Sequence, residues 1–154
     1  MSDTTHPRQP APAFGVVVVT HGQLATELVN AAETIVGDLP CFAAVSIGWH
    51  DDVDAAKEAI GRAMASVGGS SGVLLLTDMF GGTPTNLALS YLEAGRCEVI
   101  TGVNLPMLIK LASLRSTDDV LAVARAMREH GRNAIWVASD LVRPPGAGPD
   151  AEAR

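Results

Sequence analysis

The sequence predicts an α/β domain with an open, mainly parallel sheet and helices on both faces. Short apolar runs alternate along the chain with longer segments of helical period, and this alternation is typical of βαβ units. The first run, residues 14–20, is apolar on both faces, as expected for a central strand that helices cover on both sides. A chain of 154 residues is long enough for one such domain and too short for a second full fold.

The first two strands are each followed by an amphipathic helix. After the strand at 14–20, apolar residues recur at helical spacing up to Gly37, which suits a C-cap because glycine readily adopts a positive φ. A second strand is predicted at about 43–47 and a second helix at about 52–67. The residues expected to face the core are Leu24, Leu28, Ala31 and Ile35 in the first helix and Val53, Ala56, Ile60, Met64 and Val67 in the second.

The second half of the chain continues this alternation. A strand and a helix, a further strand and a short helix, and then a longer helix are expected at about 73–77, 83–94, 97–101, 106–114 and 116–130. The polar run at 116–119 favours a helix start, and Gly131 is expected to cap the end of that helix. A last strand at about 133–138 has no crossover helix after it.

Composition and charge exclude several kinds of partner. The chain carries 17 acidic and 11 basic residues and no basic run, so nucleic acid and anionic membrane surfaces are poor partners. Its uninterrupted apolar runs, such as those at 16–19 and 73–76, are far shorter than the roughly 18 residues that suggest a membrane span. The polar start of the chain has no apolar segment of the signal-peptide type. We therefore expect a cytoplasmic protein without direct membrane insertion.

The two ends of the chain differ from its middle. Residues 1–12 and 143–154 are rich in proline, alanine or glycine, so we expect both to be disordered around a folded domain at 13–142. Cys41 and Cys97 lie far apart in sequence and form no C-x-x-C motif. This spacing favours reduced, partly buried thiols over a disulfide or a zinc site.

Titratable residues follow the first and third predicted strands, at the sheet edge where open α/β proteins bind their ligands. His21 comes directly after the first strand, and Asp78 holds the equivalent place after the third. A carboxylate beside an imidazole accepts the Nδ1 hydrogen and leaves Nε2 free as a nucleophile. From position alone, His21 could equally cap a neighbouring helix and Asp78 could equally form a turn.

The loop after Asp78 favours the chemical interpretation. Gly81 and Gly82 allow close backbone approach, Thr83 suits a helix N-cap, and Pro84 suits the first helical position. Free N–H groups and partial positive charge at such a helix start form an anion site. A nucleophilic histidine that faces an anion site suggests phosphohistidine. The alternative is a well-formed helix start without a ligand.

Other interpretations of the loop residues lack a motif. The sequence has no G-x-G-x-x-G after the first strand and no P-loop motif. A divalent metal would require three loops to converge, and the ligands would be His21, His50, Asp51 and Asp78. We favour a site without metal or other cofactor. His50 and Trp49 either line the mouth of the ligand crevice expected at this edge of the sheet or face solvent.

Three motifs stand at predicted strand ends: VVVVTHG at 16–22, DMFGGTPTN at 78–86 and GVNLPM at 102–107. Together they resemble the IIA components of the mannose family of the phosphoenolpyruvate-dependent sugar phosphotransferase system (PTS). The resemblance covers about residues 14–138. It implies a homodimer in which the last strand is exchanged between subunits, which explains a terminal strand without a crossover helix.

The resemblance also implies roles and partners. His21 accepts a phosphoryl group from phospho-HPr, Asp78 orients the imidazole, and Thr83 with the backbone around Gly81 and Gly82 contacts the phosphoryl oxygens. The protein would thus be a phosphotransferase that carries the phosphoryl group to a IIB component. The family leads us to expect tryptophan at position 80. Phe80 stands there instead, and because it is also aromatic it keeps an aromatic wall.

The end of the sequence bears on which protein accepts the phosphoryl group from His21. In many relatives an alanine- and proline-rich linker leads to a fused IIB domain, whereas this sequence ends at Arg154 after a short stretch of that composition. We therefore expect the acceptor to be a separate IIB protein, or a regulated protein. Three alternatives to sugar uptake stay open: a binding module regulated by phosphorylation of His21, a subunit of a dihydroxyacetone-kinase phosphotransferase, and a ligand-binding protein with an inert His21.

Overall fold

The computed structural model describes residues 14–114, 118–143 and 146. Within them, four parallel strands form one sheet in the order β2-β1-β3-β4, with helices on both faces, as predicted. The strands are β1 (Phe14–His21), β2 (Phe42–Ile47), β3 (Gly72–Thr77) and β4 (Cys97–Thr101). The helices are α1 (Leu24–Val36), α2 (Val53–Val67), α3 (Thr83–Leu89), α4 (Leu105–Ser113), α5 (Val120–Asn133) and α6 (Ala138–Val142). None of these helices has the length and apolar character needed to cross a membrane.

Strand β1 is central because both of its faces are apolar. Val16 and Val18 pack against α1, α4 and α5 on one face, and Val17 and Val19 pack against α2 and α3 on the other. All four side chains are at most 1% exposed, and burying each one contributes about 1.5–3 kcal/mol. This burial holds the end of β1, and therefore His21, in a fixed place.

The strand order reverses between β1 and β3. After β1 the chain forms β2 along one edge of β1, and it then returns to form β3 along the other edge of β1. At such a switch point the loops after the two neighbouring strands diverge and open a crevice at their carboxyl ends. The residues that follow β1 and β3 therefore border one crevice.

Residues 133–138 do not form the predicted strand within the single chain. Helix α5 continues to Asn133, the next three residues after Ala134 have no regular structure, and α6 begins at Ala138. Ile135, Trp136 and Val137 are 76%, 67% and 65% exposed. A strand needs a neighbour for its backbone N–H and C=O groups, and no strand in the described part of the chain pairs with this segment.

Two predicted helix ends are also wrong. Gly131 lies inside α5 rather than at its cap. A Cβ there would clash with the Met107 side chain, so glycine lets α5 pack closely on α4. Helix α3 ends at Leu89 instead of near residue 94. The Ser90 hydroxyl donates a hydrogen bond to the carbonyl of Leu87 at 2.6 Å, and tighter turns follow.

The predicted core faces of α1 and α2 need adjustment. In α1 the buried residues are Ala25, Val29 and Ala32, so the core face is rotated by one residue from the predicted stripe, and Leu24 and Ile35 are exposed. The Thr20 hydroxyl accepts a hydrogen bond from the N–H of Ala25 at 2.6 Å, which fixes this rotation at the first turn. The α2 stripe is as predicted except for the exposed Val53.

Cys41 and Cys97 are thiols that form no disulfide, as predicted. Cys41 is partly buried and Cys97 is buried. Burial, with Glu98 and Glu93 nearby, raises the pKa of Cys97 to about 11, so this thiol stays protonated at neutral pH. Of the predicted disordered ends, residues 1–12 and most of 143–154 lie outside the described residues, as do Ser116 and Thr117.

Candidate active site

His21 and Asp78 meet at the switch point of the sheet. His21 is the last residue of β1, and Asp78 directly follows β3. Nδ1 of His21 lies 2.8 Å from Oδ2 of Asp78, and the backbone N–H of His21 donates a hydrogen bond to the same oxygen at 3.0 Å. The structure thus brings together the two residues that the sequence predicts as a pair.

The carboxylate determines which ring nitrogen of His21 carries the hydrogen. An ionised carboxylate can only accept, so Nδ1 must hold the hydrogen in its 2.8 Å contact with Oδ2. In a neutral imidazole the other nitrogen, Nε2, then keeps a free lone pair. The pair therefore combines an oriented ring with one nitrogen available as a nucleophile.

The two side chains differ in exposure. That of His21 is 50% exposed, whereas that of Asp78 is 14% exposed. Oδ1 of Asp78 is buried and has no hydrogen-bond partner within the described part of the chain. A buried acceptor without a partner costs on the order of 1–3 kcal/mol. Positive charge on the adjacent imidazole would compensate this poorly solvated carboxylate.

The glycine loop approaches the Nε2 edge of the ring. A Cβ placed on Gly82 would lie 3.0 Å from both Nε2 and Cε1 of His21. Gly81 and Gly82 have φ angles of 93° and 84°, in the region that favours glycine. Position 82 therefore requires glycine both for its backbone conformation and for the room it leaves beside Nε2.

Helix α3 begins beside this close approach. Gly82 is its N-cap and Thr83 its first residue, so the prediction that Thr83 caps the helix is wrong by one position. The φ of 84° at Gly82 is not helical and marks the boundary. The Thr83 side chain is exposed, and the first N–H groups of a helix have no acceptor within the helix. An anion at Nε2 would therefore meet hydrogen-bond donors.

Exposed aromatic residues stand on the loops to either side of His21. Strand β1 pairs with β2 on one side and with β3 on the other, so the loops that follow those strands flank the histidine. Trp49 on the first loop is 95% exposed, and Phe80 on the second is 81% exposed. His50 is exposed as well. Each of the two loops next to His21 thus carries an exposed aromatic side chain.

The structure does not bring His50 and Asp51 together with His21 and Asp78. Oδ2 of Asp51 accepts a hydrogen bond from the N–H of Gly48 at 2.6 Å, so this carboxylate shapes its own turn. In the part of the chain that the structure describes, no group of three or more His, Cys, Asp or Glu side chains is placed to hold a metal ion. His50 and Asp51 therefore do not complete a ligand set with His21 and Asp78.

Two buried hydroxyl residues at the site were not predicted. Thr77 ends β3 and Thr85 lies in the first turn of α3, and both side chains lie within hydrogen-bonding distance of the carbonyl of Met79. The available signal was the pair of threonines that flanks the loop from Asp78 to Gly82. Considered singly, each threonine suits its strand or helix position, so neither one alone predicts a role at the site.

Comparison with known proteins gives the family. The profile of the EIIA-man family, described as "PTS system fructose IIA component", matches residues 15–127. The chain belongs to this family. The matched range contains His21, Asp78 and the glycine loop, and the resemblance to mannose-family IIA components is thereby confirmed.

Individual relatives agree with the family. The PTS system mannose-specific EIIAB component of Escherichia coli (strain K12) is 32% identical over an alignment of 132 positions, which covers 79% of this chain and 39% of the relative. The chain therefore spans about two fifths of the length of that relative. The fructose-specific EIIA component of Bacillus subtilis (strain 168) is 31% identical over 75% of this chain and 82% of its own length.

Solved structures share the fold. The mannose/sorbose-specific IIA subunit from Enterococcus faecalis is 27% identical, with a TM-score of 0.71 over 80% of this chain and 92% of its own. The PTS IIA protein associated with the fucose utilization operon from Streptococcus pneumoniae is 22% identical, with a TM-score of 0.75 over 88% of this chain and all of its own. The second likeness shows the fold alone.

Proposed function

We propose that the protein is a phosphohistidine carrier of a sugar PTS. Nε2 of His21 accepts a phosphoryl group from phospho-HPr and passes it to a separate IIB component. The observation that carries the proposal is the 2.8 Å contact between Nδ1 of His21 and Oδ2 of Asp78, which leaves Nε2 free beside the glycine loop. Membership of the EIIA family supports this chemistry.

The transfer needs no cofactor. The lone pair of Nε2 attacks phosphorus in line, an N–P bond forms on His21, and the N–P bond of the donor phosphohistidine breaks with its electron pair returning to the donor imidazole. The Nδ1 hydrogen stays in place, so the phosphorylated ring gains positive charge beside the poorly solvated carboxylate of Asp78. The protein mainly positions the groups and stabilises their charge.

The transferred group lies against the start of α3. Its equatorial oxygens face the backbone of Gly81 and Gly82, the first N–H groups of the helix and the hydroxyl of Thr83. The geometry at Gly82 supports this placement, since a Cβ there would lie 3.0 Å from Nε2 and glycine leaves that space open. N–H donors fixed before the reaction stabilise phosphoryl charge without reorganisation.

Partner proteins dock over the crevice. HPr donates the phosphoryl group to His21 and the IIB component accepts it, so both must reach the same phosphorus and cover the same surface. Trp49 and Phe80, 95% and 81% exposed, provide apolar contact on either side of His21, and exposed aromatic residues are enriched at protein interfaces. The relatives named as fructose-, sorbose- and mannose-specific components support a sugar as the final acceptor.

Intact-mass spectrometry tests the proposal. The protein is incubated with phosphoenolpyruvate, enzyme I and HPr, and a second sample lacks HPr. One acid-labile phosphoryl group that appears only with HPr is the expected result. Loss of that group on addition of a IIB protein indicates sugar transport, whereas its retention with every IIB tested favours the regulatory alternative. A folded protein that takes up no phosphoryl group from a cognate donor set contradicts the proposal.

Replacing Gly82 by alanine is expected to lower the rate of phosphoryl uptake by about 100-fold. The added Cβ lies 3.0 Å from Nε2 of His21 and occupies the space of the phosphoryl oxygens. Gly37→Ala is the matched control, because Gly37 has a similar backbone with φ 88° but open space around the added Cβ. Rates come from a mass time course. Equal losses in both variants would attribute the effect to backbone strain and contradict the crowding argument.

A homodimer is part of the proposal. Residues 135–137 are exposed and apolar, and β4 pairs with β3 alone among the described strands, so its outer edge is available. Between β4 and α5 lies a groove lined in part by Val99, Leu121 and Ala124. The 135–137 segment of a second subunit fits along this edge, and the exchange in both directions gives a twofold dimer.

Replacing Trp136 by serine is expected to raise the dimer dissociation constant by at least about tenfold, since burial of one large aromatic side chain contributes more than 1.4 kcal/mol. Sedimentation velocity over a concentration series measures the change. Trp49→Ser is the matched control, because Trp49 is also exposed but follows β2 at the opposite edge of the sheet. A monomeric wild-type protein, or equal effects of the two substitutions, would contradict the exchanged dimer.

A further inference from the structure

The loop from Asp78 to Gly82 connects the two halves of the active site. Asp78 holds the Nδ1 side of His21, and Gly82 lies at its Nε2 side. Between them, the side chains of Met79 and Phe80 are 54% and 81% exposed and give the loop little packing. Because glycine restricts the backbone least of all residues, a loop that ends in two glycines needs an anchor to hold a fixed shape.

Two buried hydroxyl groups anchor this loop at the carbonyl of Met79. Thr77 and Thr85 are 0% and 1% exposed. Oγ1 of Thr85 lies 2.5 Å from the Met79 carbonyl oxygen and 2.8 Å from Oγ1 of Thr77. Each hydroxyl has one hydrogen. That of Thr85 goes to the carbonyl, so that of Thr77 goes to Thr85.

The resulting chain runs from Thr77 through Thr85 to Met79. Its first member is part of the sheet, since the Thr77 carbonyl accepts hydrogen bonds from the N–H groups of Gly102 and Val103, both at 2.9 Å. Hydrogen bonds in a chain polarise one another and strengthen in a buried environment. The middle of the loop is thereby tied to the rigid end of β3.

We infer that Thr85 is a positioning residue for phosphoryl transfer: its hydroxyl holds the Met79 carbonyl and so sets the distance between Gly82 and Nε2 of His21. Thr85 itself is buried and does not contact the crevice. The kinetic part of this inference rests on the proposed phosphocarrier function, while its structural part concerns the order of the loop alone.

Thr85→Val keeps the size of the side chain and removes the hydroxyl, whereas Thr85→Ser keeps the hydroxyl. We expect the valine variant to lower kcat for phosphoryl uptake about tenfold with KM for phospho-HPr within twofold, because a small misplacement of the loop affects chemistry rather than docking. The serine variant is expected to retain the wild-type kcat. Thr34→Val is the matched control, since the exposed Thr34 hydroxyl donates to the carbonyl of Asn30 far from the site.

A second readout needs no phosphorylation. Backbone 15N relaxation of Gly81 and Gly82 is expected to give order parameters of about 0.85 in the wild-type and serine forms and below about 0.6 in the valine form. If the wild-type protein takes up no phosphoryl group, the proposed function fails and the order parameters still decide the positioning role.

Three results would overturn the inference. The first is a valine variant with wild-type kcat and order parameters. The second is an equal loss in the valine and serine variants, which points to packing of the methyl group. The third is a valine variant that has a lower kcat but wild-type order parameters at Gly81 and Gly82. If Thr85→Val does not fold, Thr85→Ala removes the same hydroxyl, and unchanged order parameters at Gly82 in that variant would equally overturn the inference.

Discussion

Replacement of His21 by alanine is expected to abolish phosphoryl uptake, with a loss of at least about 10⁴-fold in rate. No other side chain presents a nitrogen to the glycine loop at the 3.0 Å spacing that Nε2 has at Gly82 in the described part of the chain. The fold should persist, because the His21 side chain is 50% exposed and adds little to the core. The measurement is intact mass after incubation with phosphoenolpyruvate, enzyme I and HPr.

The control for this experiment is His50→Ala. His50 is an exposed histidine on the neighbouring loop, so it tests whether any accessible imidazole near the crevice takes the phosphoryl group. We expect His50→Ala to be phosphorylated as fully as the wild-type protein. An alanine variant at position 21 that still gains one acid-labile phosphoryl group would refute the site assignment.

Replacement of Asp78 by asparagine is expected to slow phosphoryl transfer by about 100-fold or more while the fold is retained. Both orientations of the asparagine amide are energetically unfavourable. If its NH₂ group faces His21, it repels the two N–H groups that now donate to Oδ2 and favours the tautomer with hydrogen on Nε2, which has no lone pair for attack. If its oxygen faces His21, the NH₂ group takes the buried place of Oδ1, which has no hydrogen-bond partner among the residues that the structure describes.

The rate and the tautomer are measured separately. Single-turnover transfer from phospho-HPr gives the rate, and the 15N shifts of the His21 ring show which nitrogen carries hydrogen. Asp51→Asn is the matched control, because Asp51 also follows a strand and accepts a backbone N–H, that of Gly48, without touching His21. A full transfer rate in Asp78→Asn would show that orientation by the carboxylate is dispensable.

The sheet and the paired side chains were predictable because their causes are local. Runs such as 16–19 and 73–76 are apolar at every position, and strands covered on both faces need that pattern. Once parallel strands are assigned, residues after neighbouring strands must lie at one edge. The contact between His21 and Asp78 follows from that topology.

The remaining features depend on contacts that the sequence does not reveal. Residues 135–137 have the composition of a strand, but a strand exists only beside a partner, and the described chain offers none there. Gly131 resembles a cap until Met107 is seen against it. The link between Thr77 and Thr85 depends on the exact path of the loop between them.

In the proposed function, the reacting pair and one of the two docking aromatic side chains lie on different segments of the chain. His21 and Asp78 belong to the ends of the two inner strands, whereas Trp49 stands on the loop after the outer strand β2 and is 95% exposed. That loop is shaped at Asp51, whose Oδ2 accepts a hydrogen bond from the N–H of Gly48 at 2.6 Å. Evolution can therefore exchange the exposed side chain at position 49, and with it the fit to a partner protein, while His21 and Asp78 stay unchanged. Paralogous systems within one cell could become insulated from each other in this way, at the cost of a few surface substitutions.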